Sequence, residues 1–197
     1  MRYLSFDIEA TGLGEKDYII EFAMIPFDAK QRVLEEGLSK HFYIKCPSFD
    51  SMKKDLDPWV IEHNEELIKK AHKDGIEIER FKRELEIYVT NPTIKEYFQG
   101  QKITLFGKSM NAIDLPFMNR DLGWEFMRKH FNHRVHDLTS VTYSLIDLKC
   151  LPAKCESGSE LMKHFNMGHV AHTALEDARN TALMYFKMLK QFSNKKS

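Results

Sequence analysis

The chain has 197 residues, 43% hydrophobic and 29% charged, the proportions of one globular domain with enough apolar material for a sizeable core, which exclude disordered and fibrous classes. No stretch reaches the ~18 uninterrupted apolar residues of a membrane span, and Met1 to Leu13 carries Asp7 and Glu9 where a signal peptide needs an apolar run, so a cytoplasmic protein is expected. Lys plus Arg equals Asp plus Glu at 29 each, so no basic excess argues for nucleic acid.

Arg2 to Ile8 and Ile19 to Asp28 are rich in Ile, Phe and Tyr, with a turn-like Ala10 to Gly14 between them, and predict two strands. Leu38 to Cys46 predicts a third, completing a strand meander. Asp57-Pro58 pairs an N-cap with Pro at the first helical position and opens a helix over Pro58 to Lys70. Ile78, Phe81, Leu85 and Tyr88 recur at helical spacing and predict a second helix to Val89, stopped by Asn91-Pro92. A short apolar strand over Ile103 to Gly107, a helix around Ala112 to Leu122 and a strand near Arg134 to Leu138 follow. This alternation is that of an α/β unit with parallel pairing.

The last helix has the clearest signal. Leu175, Ala178, Ala182, Tyr185, Leu189 and Phe192 keep a 3.6-residue period, and Thr173 with Glu176 forms a capping box at its start. Residues 1–192 are expected to form a single domain, and the basic end over 193–197 is expected to fray. Cys46, Cys150 and Cys155 form neither an even disulfide set nor a CxxC pair and read as reduced thiols.

The zero net charge conceals opposed local charges. Met1 to Glu21 holds Asp7, Glu9, Glu15, Asp17 and Glu21 against Arg2 and Lys16, whereas Lys102 to His136 holds Lys102, Lys108, Arg120, Arg128, Lys129 and Arg134 against three acids. Asp7 and Glu9, two apart on a predicted strand, point to one face. Two readings of that pair stand: an edge strand facing water, or repelling carboxylates that need a cation between them or a proton on one. Asp114, flanked by Ile113, Leu115 and Phe117, reads as a helix cap or a third such acid. Asp177 reads as a favourable charge near a helix start or as a fourth acid at the edge of the apolar stripe. Hard Mg²⁺ or Mn²⁺ takes such oxygen ligands, and two such ions suit an in-line phosphoryl displacement. His172, just outside the last helix, suits the proton acceptor because an imidazole titrates near neutrality.

FDIEATGL, the segment around Asp114, and His-x4-Asp in HTALEDA together resemble the three motifs of the DEDDh 3'-5' exonucleases, which include polymerase proofreading subunits, RNase T and oligoribonuclease. The likeness spans almost the whole chain in the family's order. Asp7, Glu9, Asp114 and Asp177 fall on the family's four metal-site acids and His172 on its general base. The resemblance implies a ribonuclease H-like α/β fold, a mixed sheet of antiparallel meander plus parallel strands flanked by helices. It also implies two Mg²⁺ or Mn²⁺ ions per active site and release of nucleoside 5'-monophosphates from a 3' end.

Within that superfamily the chain looks most like oligoribonuclease, a dimer acting on very short RNA. LDPWVIEH resembles that family's Met-x-x-Trp segment, LFGKSMNAID its Gly-Asn-Ser segment, and FNHRVHDLTS the stretch ending in Tyr-Arg-x-x-Asp-x-Ser/Thr. The likeness implies that Thr11 and Leu13 meet the substrate, Leu13 wedging between bases, and that Trp59 and His63 line a base pocket. Ser109, with Arg134 of the partner subunit in a homodimer, would hold the far phosphate, for which an arginine fork is suited. Lys108 stands where Asn is usual, His133 where Tyr is usual, and Glu65-Glu66 replaces a small Ser-Gly pair, which puts length selectivity in question. Trp59 and His63, at i and i+4, also read as a core Trp with a hydrogen-bonded His, and Arg134 as a surface residue.

Three functions are compatible with these residues. The first is hydrolysis of short single-stranded RNA, with DNA as a possible substrate. The second is a general single-stranded DNA or RNA 3'-5' exonuclease, proofreading-subunit-like or RNase T-like. The third is a catalytically silent exonuclease fold that binds nucleic acid, whose mark would be loss of one of the five residues; none is lost. A protein gripping two or three nucleotides makes few phosphate contacts, so the balanced charge fits a short substrate.

Overall fold

A computed structural model describes residues 1–168 and 173–193. His172 and residues 194–197 of the basic end lie outside the described residues. Six strands form one mixed sheet: β1 Arg2–Ala10, β2 Ile19–Asp28, β3 Val33–Leu34, β4 Lys40–Tyr43, β5 Leu105–Gly107 and β6 His136–Asp137. Their order is β3-β2-β1-β5-β6, with β4 also on β2. Pairs β1–β2, β2–β3 and β2–β4 are antiparallel, and β1–β5 and β5–β6 are parallel.

Nine α-helices surround the sheet among the described residues: α1 Phe49–Met52, α2 Pro58–Asp74, α3 Ile78–Thr90, α4 Pro92–Tyr97, α5 Asp114–Leu122, α6 Trp124–His130, α7 Leu138–Asp147, α8 Gly158–His164 and α9 Ala174–Ser193. None of the described helices is long and apolar enough to cross a membrane.

Strand β2, paired on both sides, is buried along its whole length. Both its faces are covered, which is why IIEFAMIPFD reads as a nearly continuous apolar run rather than an alternation. On one face Leu4, Phe6 and Ile8 of β1 and Phe22 and Met24 of β2 pack with Phe81 and Leu85 of α3 and Phe117 and Met118 of α5. Burying each such side chain stabilises the fold by about 1.5–3 kcal/mol. The other face carries Ser5, Asp7 and Glu9 and meets α9: Ser5 Oγ donates to the Ala178 carbonyl at 2.7 Å. Ala174, Ala178 and Ala182 are fully buried there, small enough for the helix backbone to approach the strands.

Several boundaries differ from the sequence expectation. The third strand is shorter than Leu38 to Cys46, because Glu36–Leu38 is a single 3-10 turn; Ile44 leaves the ladder to bridge Ile76. Asn91-Pro92 ends α3 but also starts α4, the Asn91 side chain accepting from Thr93 N–H at 2.9 Å. The strand near Arg134 to Leu138 reduces to β6, because Asp137 accepts from Thr139 and Ser140 N–H at 2.8 and 3.2 Å and so begins α7. On α9 the buried stripe is Ala174, Ala178, Ala182, Met184, Phe186 and Met188. Leu175, Tyr185, Leu189 and Phe192 are only partly buried, so the stripe is rotated from the expected one. Ser193, expected to begin the frayed end, is the last residue of α9, its hydroxyl donating back to the Leu189 carbonyl at 2.5 Å.

Candidate active site

Asp7 and Glu9 lie at the end of β1 on the face that α9 covers. In the β1–β2 register Asp7 stands opposite Ala23 and Glu9 opposite Glu21, and a bulge follows Glu9. α9 lies over these strands and brings Asp177, in its first turn, down to them. Carboxylate oxygens of Asp7, Glu9 and Asp177 all lie within 4.8 Å of one another. They line a cavity of about 340 Å³ together with Lys108, Ser109 and Met184.

Such crowding is costly without a cation. Burial, then the charges of Asp114, Glu9, Asp177 and Glu21, push Asp7 well above the usual carboxylate range. Burial, then Asp177, Glu21 and Asp114, push Glu9 up to about 7. Asp114 lies beside this trio: it is the first residue of α5, is buried, and its Oδ1 accepts from Ile8 N–H at 3.2 Å. Burial drives it up to about 6 against the lowering effect of that bond. Two strand carboxylates, one helix carboxylate and a fourth behind them form an all-oxygen donor set suited to a hard divalent cation. The water-facing edge-strand reading of Asp7 and Glu9 therefore fails.

The loop after β1 is built around Asp17. Its carboxylate accepts from the Thr11 hydroxyl at 2.9 Å and from Gly14 N–H at 2.7 Å, and the Thr11 oxygen accepts from Tyr18 N–H at 2.9 Å. A Cβ on Gly12 would come within 2.5 Å of that carboxylate, so a side chain there would push Asp17 off its loop bonds. Thr11 is buried, and its hydroxyl is committed to shaping the loop. Leu13 at the loop tip is 77% exposed.

Trp59 is 53% exposed, which removes the core reading of that residue. Its ring stacks on His63 with centroids 4.4 Å apart and planes 11° apart, and His63 Nδ1 donates to the Trp59 carbonyl at 2.8 Å. On the same helix Asn64 donates to the Ala10 carbonyl at 3.4 Å, tying α2 to the end of β1. Ser109, on the cavity wall, has a left-handed backbone (φ 56°) and lies 2.9 Å from the Thr139 hydroxyl.

The structure brings together Asp7, Glu9, Asp177 and Ser109, with Asp114 adjoining. Leu13, Trp59, His63 and Arg134 are not among the residues lining that cavity. The bases that cluster in sequence over Lys102 to His136 do not gather at one place in the fold. Of those bases, Lys108 alone lines the carboxylate cavity. Arg120 is paired with Asp121 and Lys129 with Glu86, while Lys102 and Arg128 line a separate cavity of about 530 Å³. The backbone N–H of exposed Arg134 donates to the Asn132 side-chain oxygen, and Arg134 lines neither cavity. Sequence reading missed the site role of Lys108 and the buried Glu21; the signal for Glu21 was a lone acid inside the apolar run IIEFAMIPF.

The exonuclease family model, RNase_T, matches residues 4–185. The chain belongs to this exonuclease family. No curated protein matches its sequence. Its fold is similar to solved exonuclease structures. E. coli exonuclease I in complex with a dT13 oligonucleotide is 17% identical with a TM-score of 0.72, over 98% of this chain and 41% of that one. The nuclease domain of 3'hExo, a DEDDh family member bound to rAMP, is 14% identical with a TM-score of 0.66, over 97% and 92%. Cell-death related nuclease 4 is 14% identical with a TM-score of 0.68, over 97% and 64%. This exonuclease-family chain therefore spans less than two thirds of the length of two of these three proteins.

Proposed function

We propose that the chain is a metal-dependent 3'-5' exonuclease that hydrolyses short oligoribonucleotides, down to dinucleotides, to nucleoside 5'-monophosphates. The observation that carries this reading is the convergence of Asp7, Glu9 and Asp177 within 4.8 Å in a chain of the exonuclease family. With Asp114 they would hold two Mg²⁺ or Mn²⁺ ions. When bound, such ions stabilise both the attacking and the leaving oxygen of a phosphoryl displacement.

The rest falls to side chains of this chain. His172 takes the proton of the attacking water, the bond from phosphorus to the 3'-oxygen breaks, and that oxygen takes up a proton from solvent. Leu13 wedges between bases, positioned by the Thr11–Asp17 loop, and the Trp59–His63 stack receives a base. Ser109 and Lys108 contact phosphate from the cavity wall. In a homodimer, Arg134 of the partner subunit closes the far end, which limits substrate length. The three free thiols fit a reducing compartment such as the cytoplasm.

The test compares rates on a labelled RNA dinucleotide and a 20-mer. Preference for the dinucleotide supports the oligoribonuclease-like reading; comparable rates contradict it and leave the general exonuclease.

A further inference from the structure

Glu21 is a fully buried acid on β2, where a carboxylate without partners would be strongly unfavourable. Both its oxygens are engaged. Oε1 lies 2.5 Å from Nε2 of His41 on β4, and Oε2 accepts from the Ala174 N–H at 3.2 Å. Ala174 opens α9 and is itself fully buried, so its N–H is one of the helix-start donors without an intrahelical acceptor, in a place water does not reach. Glu21 satisfies it, and a carboxylate there also suits the positive end of the helix.

The consequence is geometric. Asp177 N–H donates to the Thr173 carbonyl at 2.9 Å, so Asp177 sits one turn beyond the residue that Glu21 grips. Directly across the β1–β2 ladder from Glu21 stands Glu9, two residues from Asp7. The same side chain thus ties the helix carrying Asp177 to the strand neighbouring the one that carries Asp7 and Glu9. With both oxygens committed, Glu21 is not a member of the carboxylate trio although it shares their face of the sheet.

We propose that Glu21, held by His41, is a positioning residue that fixes the start of α9 and thereby sets Asp177 at ligand distance from Asp7 and Glu9. The inference rests on the exonuclease reading of that trio. His41 supplies the donor that orients the buried carboxylate, leaving its second oxygen aimed at Ala174.

The test measures Mn²⁺ affinity by electron paramagnetic resonance, alongside kcat and KM on a short labelled oligoribonucleotide, for the full chain and its Glu21 and His41 variants. Glu21→Ala should weaken Mn²⁺ binding about tenfold or more, as loss of supporting groups around a metal site does. Its kcat should fall by a similar factor while KM stays within about twofold. Glu21→Gln should stay within about threefold of the unaltered protein, because its amide oxygen still accepts from Ala174. Unchanged affinity and kcat in a folded Glu21→Ala protein would overturn the proposal, as would equal losses in the Ala and Gln variants. If Glu21→Ala does not fold, His41→Phe carries the test: a loss of about threefold or more in affinity is expected, and no loss overturns it. Unaltered protein that binds no Mn²⁺ overturns the exonuclease reading and this inference with it, whereas binding that none of the variants changes overturns this inference alone.

Discussion

Glu9 and Glu21 stand opposite each other across the β1–β2 ladder, and they meet burial by different means. Glu21 is bonded to His41 and to the Ala174 N–H. Glu9 is pushed up to about 7 by burial and by the acids around it. One carboxylate is satisfied by its partners, and the other is the one we propose as a metal ligand.

Stability against pH follows from the Glu9 side of that pair. Its value rises from 4.5 to about 7 on folding, and that of Asp114 from 3.8 to about 6. A raised acid contributes stability that is fully present below its unfolded value and is lost as pH rises through its folded value. The melting temperature of metal-free protein should therefore fall as pH rises from about 4 to about 7, and Mn²⁺ should raise it more at about pH 8, above the folded values of Glu9 and Asp114. Calorimetry with and without a chelator checks this; a metal effect independent of pH contradicts it.

Asp7→Asn separates stability from activity. It replaces an acid that folding pushes well above the usual carboxylate range by a neutral amide of the same shape, so metal-free melting at about pH 8 should rise. Hydrolysis should fall by about 10³-fold or more, roughly 4 kcal/mol of barrier. Lower stability together with retained turnover would contradict the ligand role.

His172→Ala should lower kcat by about 10²- to 10⁴-fold, the usual contribution of a general base, with Mn²⁺ affinity unchanged. Affinity reduced as much as in Asp7→Asn would make the histidine a ligand instead.

Trp59→Ala tests the exposed stack on α2. An exposed side chain contributes little to stability, so unfolding should change by no more than about 0.5 kcal/mol. Stacking of a base is worth about 1–3 kcal/mol, so KM for a short oligoribonucleotide should rise about tenfold. A large stability loss with unchanged KM would return Trp59 to a structural role.

Much of this was legible in the sequence where local chemistry decides. The strand Ile19 to Asp28 and the helix starts at Pro58 and Ala174 follow from apolar runs and caps, and Asp7 and Glu9 share a face because strands alternate. What local pattern does not carry is assembly. Asp137 looks like a strand residue until its carboxylate takes Met110 N–H as well as capping α7. Trp59 has the same i, i+4 spacing whether buried or exposed, and only the packing of α2 decides. Glu21 is legible as an anomaly in an apolar strand, but its partners lie 20 and 153 residues away. The basic residues of Lys102 to His136 cluster in sequence yet disperse over ion pairs and a second cavity.

The most direct measurement is hydrolysis of RNA and DNA oligomers of about two to twenty nucleotides, labelled at the 5' end, with Mg²⁺ or Mn²⁺ and with chelator. Sequential loss of nucleoside 5'-monophosphates from the 3' end, abolished by chelator and fastest on the shortest RNA, is the predicted result. No release with either metal, or cleavage that begins internally or at the 5' end, would contradict it.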